Sequence, residues 1–122
     1  MRSDINRLSD IIEAIRRIRE KLPHTKGEFT GSDLLQIWVL YHIRIIGEAA
    51  NGISSIFRNA HPSVPWQDII AMRHLLVHQY FGIDLDEVWN TASHDLPSLE
   101  KEINKILKDS PPPTRSLTTY FG

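Results

Sequence analysis

The chain has 122 residues, no cysteine and nearly balanced charge, with 14 basic against 15 acidic side chains for a net charge of −1. This length supports one domain with its own core, and the lack of cysteine excludes a disulfide scaffold and a cysteine-held zinc site. The balanced charge excludes a broad basic surface for nucleic acid, so any RNA contact has to be local to a groove or pocket. The opening residues, Met1-Arg2-Ser3-Asp4-Ile5-Asn6-Arg7, carry no apolar signal run. The most apolar window, residues 34–50, is broken by Gln36, His42, Arg44 and Glu48, which excludes a comfortable membrane span. These features lead us to expect a soluble cytoplasmic protein with no membrane partner.

Residues 4–22 predict the first helix. Ile5, Leu8, Ile11, Ile12, Ile15, Ile18 and Leu22 recur at three- and four-residue steps and form an apolar stripe. Ser3 suits its N-cap and Pro23 ends it. Arg16, Arg17, Arg19 and Lys21 fall in its last turns, where cations complement the helix dipole, and they read as a solvated face rather than an RNA-steering patch. Residues 24–31 read as a polar loop with Gly27 and Gly31 as breakers.

A second helix starts near Ser32, where Thr30 and Asp33 have capping-box spacing. It is apolar around much of its circumference, through Leu34, Leu35, Ile37, Trp38, Leu40, Tyr41, Ile45, Ile46, Ala49 and Ala50, so it is expected to be the central helix. Asn51-Gly52 either ends it, kinks it or lets it run on to residue 57 or 58. Gly47 in mid-helix costs about 1 kcal/mol against Ala, which points to another backbone packing closely there. Glu48 beside it is a charge in an apolar run that needs a partner, and Arg73 is the expected one.

The segment His61-Pro62-Ser63-Val64-Pro65-Trp66 reads as a rigid turn, with Pro65 placed for the first turn of a third helix over about residues 66–80 that distorts near Arg73 and stops at Phe81-Gly82. Asp84 and Glu87 signal another N-terminus, for a helix over about 85–92. Asp95 is a candidate cap for a last helix, with Pro97 in its first turn and Leu96, Leu99, Ile103, Ile106 and Leu107 as its stripe. Ser110-Pro111-Pro112-Pro113 breaks all regular structure. The expected fold class is all-α, an up-and-down bundle of four to five helices in one domain over residues 1–109. Residues 110–122 form a Pro-rich C-terminal tail, either flexible or docked on a partner.

The chemistry concentrates in Arg73-His74-Leu75-Leu76-Val77-His78-Gln79-Tyr80. Arginine grips a phosphate through bidentate, charge-assisted hydrogen bonds. Histidine serves as base and acid near neutral pH. Together they suffice for attack of an RNA 2′-OH on its own phosphate without a metal. His74 and His78 have the i,i+4 spacing of zinc ligands, but Leu75 stands where a catalytic Glu belongs, so no metal site is assigned. On one ideal helix, Arg73 and His78 diverge by about 140°. Either the helix distorts, or the site combines residues from two copies of the chain.

Three features in order resemble the HepT-like proteins of the HEPN superfamily, toxins of toxin–antitoxin pairs. They are Ile46-Gly47-Glu48-Ala49, Pro65-Trp66, and the Arg-x4-His-x-Tyr signature at 73–80. The family commonly has Asn after the motif arginine, where this chain has His74. The resemblance covers about residues 4–108 and implies a dimeric, HEPN-like all-α bundle that cuts RNA without metal or cofactor. Arg73 and His78 would then be the catalytic pair, with His74 and Glu48 as supporting or phosphate-contacting groups. It further implies a homodimer partnered with a minimal nucleotidyltransferase antitoxin that transfers AMP to Tyr80, and an RNA substrate such as tRNA or mRNA. The alternative is a non-catalytic helical adaptor that binds a nucleotidyltransferase. A plain dimerisation bundle leaves the four polar residues of one segment unexplained.

Overall fold

The structure is a computed structural model that describes residues 3–76 and 84–109. It is all-helical among the described residues. Three long helices carry most of the packing: α1 (Asp4–Lys21), α3 (Asp33–Gly52) and α7 (Leu96–Lys108). Shorter helices fill the connections: α2 (Lys26–Thr30), α4 (Ser55–Ala60), α5 (Trp66–Ala71) and α6 (Leu85–Asn90). A 3-10 turn, Met72–Leu76, follows α5 directly, and a π turn, Thr91–Asp95, joins α6 to α7.

The expected α1 forms for the expected reasons. The Ser3 hydroxyl accepts from the Asn6 N–H at 3.1 Å, capping one orphan donor. Leu8, Ile11, Ile15 and Ile18 are buried along one stripe, and Leu22 leaves the helix just before Pro23. Three of its cations are paired: Arg16 binds Glu13 and Glu20, Arg17 binds Glu13, and Arg19 reaches Glu100 of α7. The Arg16 hydrogen bond holds the Glu13 carboxyl below the usual carboxylate range. The paired, solvated face is therefore the observed one. Lys21 lies over the Trp38 ring at 5.9 Å.

The central helix is α3, capped by the Ser32 hydroxyl accepting from the Leu35 N–H. It packs on α1, α5 and the 3-10 turn. Val39, Ile43 and Ile46 are fully buried on it. Its end is settled at Gly52: Ile53 breaks the helical geometry, and Ser54 caps the separate helix α4. Asp4 ties this junction to α1, accepting from the Ser54 N–H at 2.9 Å and its hydroxyl at 2.7 Å. The described helices include none long and apolar enough to cross a membrane.

Three expectations are corrected. Residues 24–31 are not all loop, because the Thr25 hydroxyl accepts from the Glu28 N–H and donates to the Glu28 carboxylate, which starts α2 and buries Phe29 completely. Thr30–Asp33 is not the cap of α3, since Ser32 is. The chain from Leu85 to Lys108 does not break into two helices at Asp95, which stays in helical geometry without a side-chain cap. The π turn explains the continuity. Leu96 donates to the Thr91 carbonyl, five residues back, and this widened turn accommodates Pro97, which lacks an N–H and would crowd an ordinary α-turn. Asp84 does cap α6, accepting from the Glu87 N–H at 3.1 Å. The expected end at Phe81-Gly82 and the tail, residues 110–122, lie outside the described residues.

Because Ile43 is fully buried at the centre of α3, Ile43→Ala is expected to destabilise the fold by about 2–5 kcal/mol. Urea denaturation checks this through a lowered midpoint at unchanged slope.

Candidate functional site

The site begins with a glycine. A Cβ built on Gly47 would lie 2.9 Å from the Arg73 Cβ and 3.0 Å from its backbone N, closer than packed carbon and nitrogen atoms tolerate. Gly47 is therefore the notch into which the Arg73 backbone settles, the close approach expected from its place in mid-helix. The third helix distorts where expected: α5 gives way to the 3-10 turn at Met72, just before Arg73. This tighter winding stays in contact with α3 along the turn.

The entry to α5 is rigid. The Trp66 indole N–H donates to the His61 carbonyl at 3.0 Å, and the Trp66 backbone N–H donates to the Val64 carbonyl at 2.9 Å. Phe57 packs on His61 with ring centroids 4.5 Å apart. Val64, Trp66 and Ile69 are buried. Pro65 sits at the cap position of α5, one residue before its first turn.

Arg73 is half-buried and His74 is exposed. Among the described residues, Arg73 makes no ion pair. The expected Glu48–Arg73 pair is corrected: Glu48 is exposed and binds Arg44 one turn away at 3.1 Å. The cause is helical phase. Gly47 faces Arg73, and Glu48, about 100° further round, shares the solvent face with Arg44. His78 and Tyr80 lie outside the described residues, so the structure brings Arg73 to Gly47 and is silent on the rest of the motif.

One polar residue was not singled out from the sequence. His42 is only 4% exposed. Its Nδ1 is 2.7 Å from the Trp38 carbonyl, which can only accept, so Nδ1 carries the proton. Its ring packs against Trp38 and Tyr41, and Trp38 in turn donates to the Arg17 carbonyl of α1 at 2.9 Å. His42 thus belongs to the α1–α3 seam, away from the Gly47 side. The signal for it was a histidine in phase with the buried stripe of α3.

Gly47→Ala is expected to lower stability by about 1–3 kcal/mol through overpacking and to displace the Arg73 turn. A thermal melt alongside the amide NMR shifts of residues 72–76 would check this, with the nearby Ala49→Gly as a control that leaves those shifts in place.

The sequence matches the family "Ribonuclease HepT-like" over residues 11–106. It is 38% identical over 108 residues to the "Probable ribonuclease HepT" of Thermococcus cleftensis, covering 88% of this chain and 98% of that protein. It is 34% identical over 100 residues to a "Putative RNase" of Methanocaldococcus jannaschii, covering 81% of this chain and 92% of that one. It is 37% identical over 111 residues to a "Gamma-glutamylcyclotransferase and putative RNase" of the same organism, covering 89% of this chain but 50% of that longer protein. No solved structure matches the chain. With the family matched across most of its length and the arginine of the family signature held on the Gly47 notch, the chain belongs to the HepT-like ribonuclease family of the HEPN superfamily.

Proposed function

We propose that this protein is the toxin of a toxin–antitoxin pair, a metal-independent endoribonuclease acting through Arg73 and His78. The observation that carries the reading is Arg73 itself: a half-buried guanidinium without an ion-pair partner among the described residues, on a turn whose position is set by Gly47. In the reaction, His78 takes the proton of an RNA 2′-OH and the 2′-oxygen attacks the adjacent phosphorus. Arg73 holds the non-bridging oxygens as negative charge builds on the phosphorane. The 5′-oxygen leaves with the proton returned by the resulting imidazolium, and the products are a 2′,3′-cyclic phosphate and a 5′-hydroxyl end. His74, exposed next to Arg73, contacts the neighbouring phosphate, and Glu48 supports the site only through the Arg44 pair.

The active form is a homodimer. Leu34, Ile37 and Tyr41 are 80%, 63% and 58% exposed and fall on one stripe of α3. The stripe lies about 100° round the helix from Gly47, so a second copy seated on it approaches the Arg73 side. The partner is a minimal nucleotidyltransferase that adds AMP to Tyr80. A bulky anionic group beside Arg73 and His78 would occupy the RNA phosphate position and repel the substrate.

Cleavage of a mixed tRNA and mRNA pool in excess EDTA is expected to leave 2′,3′-cyclic phosphate ends. Arg73→Ala and His78→Ala should each reduce the rate by about 10²–10³-fold. Mixing those two variants should restore part of the activity if one site draws on two chains, and no recovery would refute the composite site. Absence of cleavage by protein whose intact mass shows Tyr80 unmodified would instead favour a non-catalytic adaptor of the nucleotidyltransferase. Co-expression with the nucleotidyltransferase is expected to add the mass of one AMP at Tyr80, and suppressed toxicity with unmodified Tyr80 would refute that route.

A further inference from the structure

A cleft of about 490 Å³ opens between α4 and the start of α5. Val64, Trp66, Pro62 and Pro65 form its apolar part, and five polar side chains converge on it: Ser55, Arg58, Asn59, Gln67 and Asp68. None of these five makes a side-chain hydrogen bond or ion pair within the described protein. A single unpaired polar group on a surface is ordinary. Five around one cleft, on walls locked by two prolines, the Trp66–His61 hydrogen bond and the Phe57–His61 ring contact, offer donors and acceptors from a rigid backbone.

We infer that this cleft is a subsite for a single-stranded RNA nucleotide near the scissile phosphate, with its phosphate on Arg58 and its base edge met by Asn59 and Gln67. Arg58 is half-buried, unlike the exposed Asn59 and Gln67, and its planar fork of donors matches a phosphate. Carboxamides offer both a donor and an acceptor, which suits a base edge. The exposed rings of Pro62 and Pro65 give a base an apolar surface to lie against. Asp68 accepts from an exocyclic amino group rather than from phosphate.

The location fits. Trp66 lines the cleft and opens α5, and the same helical run reaches Arg73 seven residues later. At 1.5 Å per residue that is about 10 Å along the axis, the reach of a few nucleotides at ~3.4 Å per stacked base. Gln67 and Asp68 lie about 120–140° round α5 from Arg73, so a strand held at Arg58 crosses the exposed side of α5 before a neighbouring phosphate reaches Arg73, and a local groove of this kind is the form of RNA contact that a chain of net charge −1 allows. The inference rests on RNA being the ligand of the Arg73 site.

The test measures binding separately from cleavage. A fluorescein-labelled 2′-O-methyl oligoribonucleotide has no free 2′-OH and cannot be cut, so anisotropy with the full chain reads affinity alone. Arg58→Ala is expected to weaken binding about tenfold and to reduce the slope of log affinity against log salt by about 0.7. Arg58→Lys should keep the slope but recover only part of the affinity, and Asn59→Ala should weaken binding without changing the slope. Lys101→Ala on α7, outside the cleft, should change little. Unchanged affinity and slope in Arg58→Ala, an equal loss in Lys101→Ala, or no binding by the wild-type chain would each overturn the subsite. If Arg58→Ala does not fold, Arg58→Lys and Asn59→Ala carry the same decision. A matched strand with free 2′-OH groups that binds through Arg58 but is not cut would refute the ribonuclease reading and leave the subsite standing.

Discussion

The backbone contact between Gly47 and Arg73 is the constraint on which the rest of the arrangement depends. A glycine in a central helix lowers helix stability, and the chain accepts that cost at the one position where a neighbouring backbone comes within 3.0 Å of where a Cβ would be. The contact places the arginine of the signature through its main chain rather than through a charge partner. The backbone of Arg73 is therefore fixed without an ion pair among the described residues. An arginine held by an internal carboxylate would be aimed equally well but already neutralised.

The surrounding elements serve that placement. Helix α3 is clamped by α1 on one side and by α5 and the 3-10 turn on another. The His61–Trp66 turn delivers α5 at a fixed angle by satisfying its buried indole locally. On α1 the arginines are treated differently. Arg16, Arg17 and Arg19 are paired with Glu13, Glu20 and Glu100, and such exposed pairs contribute little to stability. Among the described residues Arg16, Arg17, Arg19 and Arg44 are paired while Arg7, Arg58 and Arg73 make no ion pair, so much of the arginine charge in a chain of net charge −1 is already met within the fold.

Much of this was legible in the chain. The apolar stripe of α1, the Ser3 and Asp84 caps and the buried character of α3 follow from side-chain periodicity and short-range hydrogen bonding, which depend on neighbours a few residues away. The glycine notch was legible for a similar reason, because a mid-helix glycine weakens its helix and is tolerated where a second backbone has to come close. The family signature marked the motif arginine directly. The misses have the opposite character. The helix α2 turns on the burial of Phe29, which requires Trp89 of α6, 5.7 Å away between ring centroids. The merging of α6 and α7 depends on a widened turn absorbing Pro97, where local rules predict a break.

The sequence by itself determined that the protein is all-helical, which faces of its long helices are apolar, and that an arginine–histidine–tyrosine segment is its candidate site, since these are properties of residue type and spacing. Only the tertiary structure decided which partner each charge takes. Glu48 pairs with Arg44 rather than Arg73, because a single step of about 100° around α3 separates the side facing the motif from the side facing solvent. It likewise decided that Ser55, Arg58, Asn59, Gln67 and Asp68 share one cleft. Their convergence depends on the angle between α4 and α5 set by the Trp66–His61 turn, and no spacing rule along the chain contains that angle.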